Sequence, residues 1–435
     1  MNMDQQLNHL KEIMDQTIFK KDTLSSKKKQ EIYENAIVTK RKKRHHFSAP
    51  VLSIALASCF ILLIAGLSLT QLFYKQSQTL SHLPEPQNHF RSIIANENKE
   101  DNKPDYEETV YYLPFQNYND PVVDGNQMFV HVHGDRNKHL DIDTFIQYNL
   151  ETNDYKVLYK SSFSQADMGN TQLNEDWIMW KDFSRSGKSK IMTLNRSTGE
   201  MKKITEISGK NEALRSPTLY KEYIAWIYLN IAKKEAQVHL HHLLTGETII
   251  LANFNYNPES YPTVHMGDGK LVWASHEDGK GFFYLYDLET KNKEKYEAPA
   301  PFVIYAKYSN GKIYAINSSG KVYPQEGRVT QYWDELNYGF LDINKKEFHT
   351  IIANGKRGWF DAYDDKMVFL DTEDVLYVHE FQKNHLNSTK VPLKNEDPTS
   401  VSFDNDGNII IDYMIQSFDK GHIENQSKVG VIREN

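Results

Sequence analysis

Two histidine pairs are the first residues in this 435-residue chain whose spacing could do chemistry: His131/His133 and His239/His241, with His242 beside the second. Alternate residues of a strand share a face, so each pair could present two imidazoles to one metal ion. No third ligand stands at a recognisable spacing from either pair, and imidazoles on a solvated sheet face need no metal. No metal is assigned, and the four histidines are kept as candidates. Asp404-Asn405-Asp406-Gly407-Asn408 opens like a calcium loop, but Ile415 stands where the loop needs its last carboxylate. A turn is the reading adopted there. Gly-x-Ser-x-Gly, Gly-x-x-x-x-Gly-Lys-Ser/Thr, His-Glu-x-x-His and Cys-x-x-Cys are absent, so the chemistries they carry have no support. Paired carboxylates stay open, because sequence cannot place any two Asp or Glu about 5–10 Å apart. The expectation is a protein without catalytic or cofactor-binding residues.

What positions such groups begins with a membrane. Residues 48–74 carry no charge, and from Val51 they are almost wholly apolar. A helix over Val51 to Tyr74 is about 36 Å long, enough for a hydrocarbon core of about 30 Å. A soluble helix of that length would show a polar face, and a signal peptide would not follow so long a leader. Leu56-Ala57-Ser58-Cys59 has the form of a lipobox, but the apolar run continues past Cys59 from Phe60 to Leu69. The stretch therefore reads as one transmembrane helix. Lys40, Arg41, Lys42, Lys43 and Arg44 precede it, whereas only Lys75 follows before Arg91. Basic flanks stay inside, so the amino end is expected in the cytoplasm and the carboxyl end outside.

Charge divides along the same line. Residues 1–50 hold 11 Lys/Arg against 6 Asp/Glu, a net of +5, and the rest of the chain carries a net of −12. The basic run is explained by topology, so a nucleic-acid partner has no support. Cys59, the lone cysteine, lies in the span, so the exported part cannot rely on disulfides and must be held by its core.

Residues 1–46 show two amphipathic helical faces, Leu7/Leu10/Met14/Ile18 and Ile32/Tyr33/Ile37. Each is too apolar to stay bare and the segment too short for a core, so a protein partner or the membrane surface is expected to cover them. Residues 75–107, with Pro84, Pro86 and Pro104 among charges and amides, read as an extracytoplasmic linker.

Residues 108–435 change to period-2 alternation, and a strand recurs seven times. It begins at Met128, Ile178, Ile224, Leu271, Ile313, Met367 and Ile409, with spacings of 50, 46, 47, 42, 54 and 42 residues. A turn of Asp, Asn, Gly, Glu or Lys precedes each copy, as at Gly267-Asp268-Gly269 and Asn310-Gly311. A second element follows at the same period: a strand ending in a Thr-Gly type corner, as at Thr198-Gly199, Thr245-Gly246 and Thr290-Lys291. The pattern fits four-stranded blades and predicts an all-β, seven-bladed β-propeller after the short α-helical cytoplasmic segment and the span. The last repeat offers three strands, so Val110 to Leu113 should supply its fourth and close the ring. Trp180, Trp226 and Trp273 share one repeat column and should pack between blades, leaving Trp177, Trp333 and Trp359 freer to face a partner.

On the turn-plus-Trp strands and the Tyr286-Asp287-Leu288-Glu289-Thr290 corner, the exported region resembles TolB-type and related β-propellers. Through Leu10 to Phe19, Gln30 to Lys40, the basic cluster and the span, the front of the chain resembles membrane-anchored anti-sigma-factor-type proteins of Gram-positive bacteria. It lacks the His/Cys motif of the zinc-containing class. The resemblance implies a single-pass, non-enzymatic sensor or regulator, with an extracellular ligand or protein on the propeller and a sigma factor as the cytoplasmic partner. The alternatives are a surface-anchored binding scaffold without signalling, and an anchored propeller acting on glycans through paired carboxylates.

Overall fold

The computed structural model describes residues 92–94 and 106–434, apart from the short stretches 116, 135–140, 256–261, 320–321, 326–327, 334–335, 356–357, 383–384, 396 and 420–421. The cytoplasmic faces at Leu7, Leu10, Met14, Ile18, Ile32, Tyr33 and Ile37, the basic cluster and the expected span all lie outside the described residues. Among the described residues there is no helix, and hence none long and apolar enough to cross a membrane.

Seven antiparallel blades follow one another; in the first six the four blade strands lie side by side in chain order, and the seventh is completed by a strand from the start of the domain. Blade 1 covers residues 118–160, blade 2 169–207, blade 3 212–255 and blade 4 264–297. Blade 5 covers 302–355, with a separate hairpin (Val322–Gln325 and Arg328–Trp333) between its second and third strands. Blade 6 covers 359–391, and blade 7 begins at 398. Each of the seven repeats read from the sequence is the second strand of its blade. The turns before them behave as their chemistry requires: Asp268-Gly269 and Asn310-Gly311 both take two successive positive φ values, the type I′ pattern that matches strand twist. At the later corners a side chain replaces missing backbone partners. Asn195 Oδ1 accepts from the amides of Ser197 and Thr198, and Asp287 Oδ1 from those of Glu289 and Thr290.

The core lies between blades rather than inside them. Trp180, Trp226 and Trp273 are buried in successive blades, as their shared column led us to expect. Trp177 departs from expectation. It is only 5% exposed and packs with Met179, Leu219 and Leu243 at the boundary of blades 2 and 3. Its place at the start of the second strand turns it into the adjoining blade. Trp359 is 52% exposed, and the side chain of Trp333 lies outside the described residues.

Blade 7 takes three strands from the end of the chain (Pro398–Phe403, Ile409–Asp419 and His422–Glu434) and its outermost from Tyr106–Tyr112. The register sets Val110 opposite Gly430 and Tyr111 opposite Val429, so the expected closing strand is in place. Glu108 fastens it. This carboxylate is 3% exposed and accepts from the Tyr413 hydroxyl at 2.6 Å and the Lys394 amide at 2.6 Å. Further back, Ser92–Ile94 adds a short parallel strand to the outer edge of blade 5.

Candidate functional site in the axial channel

All seven blades share one topology, so their first strands run in the same sense around the axis. Alignment on the repeat column gives one axial ring: Val122, Gln172, Thr218, His265, Lys307, Asp361 and Ser402, each paired with the middle residue of its column strand. Their neighbours Val123, Leu173, Leu219, Met266, Tyr308 and Ala362 point the other way and are buried in the core. The ring joins blades. Gln172 accepts from the Leu219 amide at 2.7 Å, Thr218 from the Met266 amide at 3.1 Å and Asp361 from the Phe403 amide at 2.8 Å. Lys307 completes the pattern with an ion pair to Asp361 at 2.7 Å.

At the turn end of the channel the blades are tied together. The Asn310 amide donates to Asp268 and its side chain to Asp364, at 2.8 and 2.6 Å. The Tyr363 hydroxyl donates to the Asn405 carbonyl at 3.0 Å, and the Asn405 side chain reaches the Leu173 carbonyl of blade 2 at 2.8 Å. Blades 7 and 2 flank blade 1, so this last bond bridges the channel floor.

The other end, where the first strands begin, is different. In blades 1, 2 and 3 the register slips at one equivalent place, between Asn119 and Val122, Gly169 and Gln172, and Arg215 and Thr218. The bulge residues Asp120, Asn170 and Ser216 have φ of 45°, 56° and 44°, a left-handed conformation that Asp and Asn tolerate and that is costly for Ser216. Bulges re-aim side chains, and here each sends a polar group to the axis while Pro121, Thr171 and Pro217 turn inward and are buried. Thr263, Tyr305, Trp359 and Ser400 complete this mouth from blades 4 to 7.

The mouth carries a buried electrostatic network. Asp120 keeps contact with solvent yet lies deep among its neighbours, as a group lining a narrow channel must. Its pKa is raised by that burial above all and by the charge of Asp167, against the Asn170 amide (2.5 Å) and Lys181. Asp412, hydrogen-bonded to the Ser400 hydroxyl, is pushed up to about 7, first by burial and then by Asp120. Lys181 is lowered to about 8 by burial and by the Arg215 charge. Two buried polar atoms here have no partner, the Thr263 hydroxyl and Asp412 Oδ1.

The histidine candidates are placed elsewhere and are not brought together. His131 is fully buried, stacked on Phe145 at 4.4 Å, with Nε2 2.5 Å from the Thr171 hydroxyl; burial lowers its pKa to about 3. His133 faces the Asp141 carbonyl through Nδ1. His239 stacks on Trp226, and His241 meets the Thr248 hydroxyl at 2.8 Å. Among the described residues no group of three or more His, Cys, Asp or Glu could hold a metal. Asp404 holds the Asp406 and Asn408 amides within its own loop, the turn geometry expected there. Sequence reasoning missed the mouth, although Pro121 and Pro217 signalled it: a proline inside an inner strand marks a bulge.

No protein-family model and no curated protein matches the chain. Among solved structures it is similar to TolB from Acinetobacter baumannii (13% identity, TM-score 0.39, 57% of this chain and 59% of that one). It is also similar to the β-propeller domain of the Trilobed protease from Pyrococcus furiosus (15%, TM-score 0.46, 68% and 91%). A third is an oligogalacturonate lyase from Vibrio parahaemolyticus (10%, TM-score 0.47, 76% and 98%). The chain thus spans less than two thirds of the TolB structure's length. The seven blades rest on the strand order itself.

Proposed function

We propose that this protein is a membrane-anchored, non-enzymatic receptor whose exported propeller takes a ligand at the axial mouth. Residues 48–74 anchor it, and the amphipathic faces of residues 1–46 hold a cytoplasmic protein, a sigma factor being the partner that the resemblance implies. The observation that carries the reading is the asymmetry of the channel: a floor where hydrogen bonds tie blade to blade, and a mouth of partly solvated polar groups with Ser216 held at a left-handed angle. Residues held at unfavourable backbone angles persist where their placement matters more than their cost. Two tests bear on it. A reporter fused at Asn435 should be extracytoplasmic. Charge substitutions at Leu10 and Met14 should release a set of transcripts while the protein stays in the membrane. If neither that double variant nor a full deletion changes any transcript, the regulatory half fails and a binding scaffold remains.

One observation favours a second reading. Asp412, its pKa pushed up to about 7, and Asp120, also raised by burial, are two interacting carboxylates at the mouth, the residue type that glycan-cleaving enzymes use as acid and base. Turnover of a glycan by the wild type and none by Asp412→Asn would establish it.

A further inference from the structure

The composition of the mouth narrows the ligand, on the reading that the mouth is the binding site. Blade 6 contributes an indole: Trp359 opens the first strand of that blade on the face of Asp361, while Phe360 and Ala362 enter the core. At 52% exposure it is the one tryptophan with a described side chain that presents a broad aromatic surface to solvent. The arc opposite is built from short hydrogen-bonding groups, Asp120, Asn170, Ser216 and Thr263, with Asn170 and Asp120 solvent-exposed.

Charge excludes several classes of ligand. Lys307 is spent on Asp361. Near the mouth stand Asp120, Asp167 and Asp412 together with Lys181 and Arg215, with Asp412 and Lys181 each shifted toward their neutral forms. Acids and bases nearly balance, so a polyanion or polycation would meet as much repulsion as attraction. A purely apolar ligand would strand the arc of polar groups. Two atoms already wait for partners there: the hydroxyl of Thr263, which is only 6% exposed, and Asp412 Oδ1. One aromatic wall facing an arc of amide, hydroxyl and carboxylate groups matches a molecule with an apolar C–H face and a rim of hydroxyls.

We infer that the axial mouth binds an uncharged saccharide, one sugar ring lying against Trp359 with its hydroxyls bonded to Asp120, Asn170 and Thr263.

The test uses the full chain in detergent micelles, titrated by calorimetry with chitotetraose, cellotetraose and maltotetraose. A neutral tetrapeptide and inorganic polyphosphate serve as the other arms. At least one tetrasaccharide should bind, Trp359→Ala should weaken it by about tenfold or more, and Trp359→Phe should restore most of the loss. Asn170→Gly, which removes the amide and keeps the left-handed backbone, should weaken it as well, with an unchanged melting temperature showing that neither variant has unfolded. If the peptide or polyphosphate binds through Trp359 and no sugar does, the saccharide is wrong and the mouth stands. If a sugar binds and both variants leave its affinity unchanged, the mouth is wrong. No binding of any tetrasaccharide up to about 10 mM, equivalent to less than about 3 kcal/mol, overturns the inference.

Discussion

The two ends of the axial channel are made from the same seven strands and have opposite characters. At the floor, tight turns adopt the backbone angles their Asp, Asn and Gly residues favour, and Asn310, Asp364 and Asn405 bond blade to blade. At the mouth, Asp120, Asn170 and Ser216 hold left-handed angles inside strands, and Asp412 and Lys181 are displaced from their ordinary ionisation. Asp and Asn accept such angles at either end, so the conflict of local preference with global fold at the mouth lies in Ser216 and in the buried charges of Asp412 and Lys181. Such conflict is where function is to be sought.

Ring closure, on which both ends depend, should give the largest effect. Deleting residues 108–115 removes most of the strand that completes blade 7 and should abolish cooperative unfolding of the exported domain by calorimetry. Among the described residues, deleting 76–100 removes the three-residue pairing of Ser92–Ile94 with blade 5, and should lower the melting temperature slightly. Equal effects would refute the closure.

A smaller loss is expected from Glu108→Leu, which strands the Tyr413 hydroxyl and the Lys394 amide in a buried site. Unmet groups of this kind cost about 1–3 kcal/mol each, so denaturant titration should show a loss of several kcal/mol.

Next comes the ionisation of Asp412. Its folded pKa of about 7 stands above the ordinary 3.8, so between these values the folded state binds more protons than the unfolded one. Stability should therefore fall as pH rises from about 4 to 7 and level off above. Asp412→Asn should flatten that slope and raise stability at pH 8, by up to about 2 kcal/mol after solvent relaxation. A slope of equal size in the variant would remove Asp412 as its source.

The mildest change separates the ends by sign. Ser216→Gly relieves a left-handed residue at the mouth and should stabilise by about 0.5–1 kcal/mol. Gly311→Ala, at φ 72° in a floor turn, should destabilise by about 1 kcal/mol.

What the sequence made legible follows the same division. The blades, the turns and the closing strand at Val110 to Tyr112 were readable because a period-2 pattern and I′ turn residues act locally and recur seven times. The tryptophan column was readable for the same reason, while Trp177 was not, since its burial depends on how blade 3 leans against blade 2. The mouth arises from residues about fifty positions apart that meet only when the ring closes. The histidine pairs illustrate the converse: a suggestive spacing, with each ring then held by its own separate partner, Thr171, Asp141, Gln237 or Thr248. The cytoplasmic faces lie outside the described residues, and their account rests on amphipathic spacing and resemblance.

The central claim is that the mouth recognises and the floor only holds. It is tested most directly by measuring melting temperature and tetrasaccharide affinity on four full-length variants, Asn170→Gly and Trp359→Ala at the mouth and Asn310→Ala and Asn405→Ala at the floor. The mouth variants should lose about tenfold or more in affinity with a melting temperature near that of the wild type, and the floor variants should melt earlier with affinity unchanged. Floor variants that lose affinity without losing stability, or mouth variants that unfold while still binding as the wild type does, would contradict it.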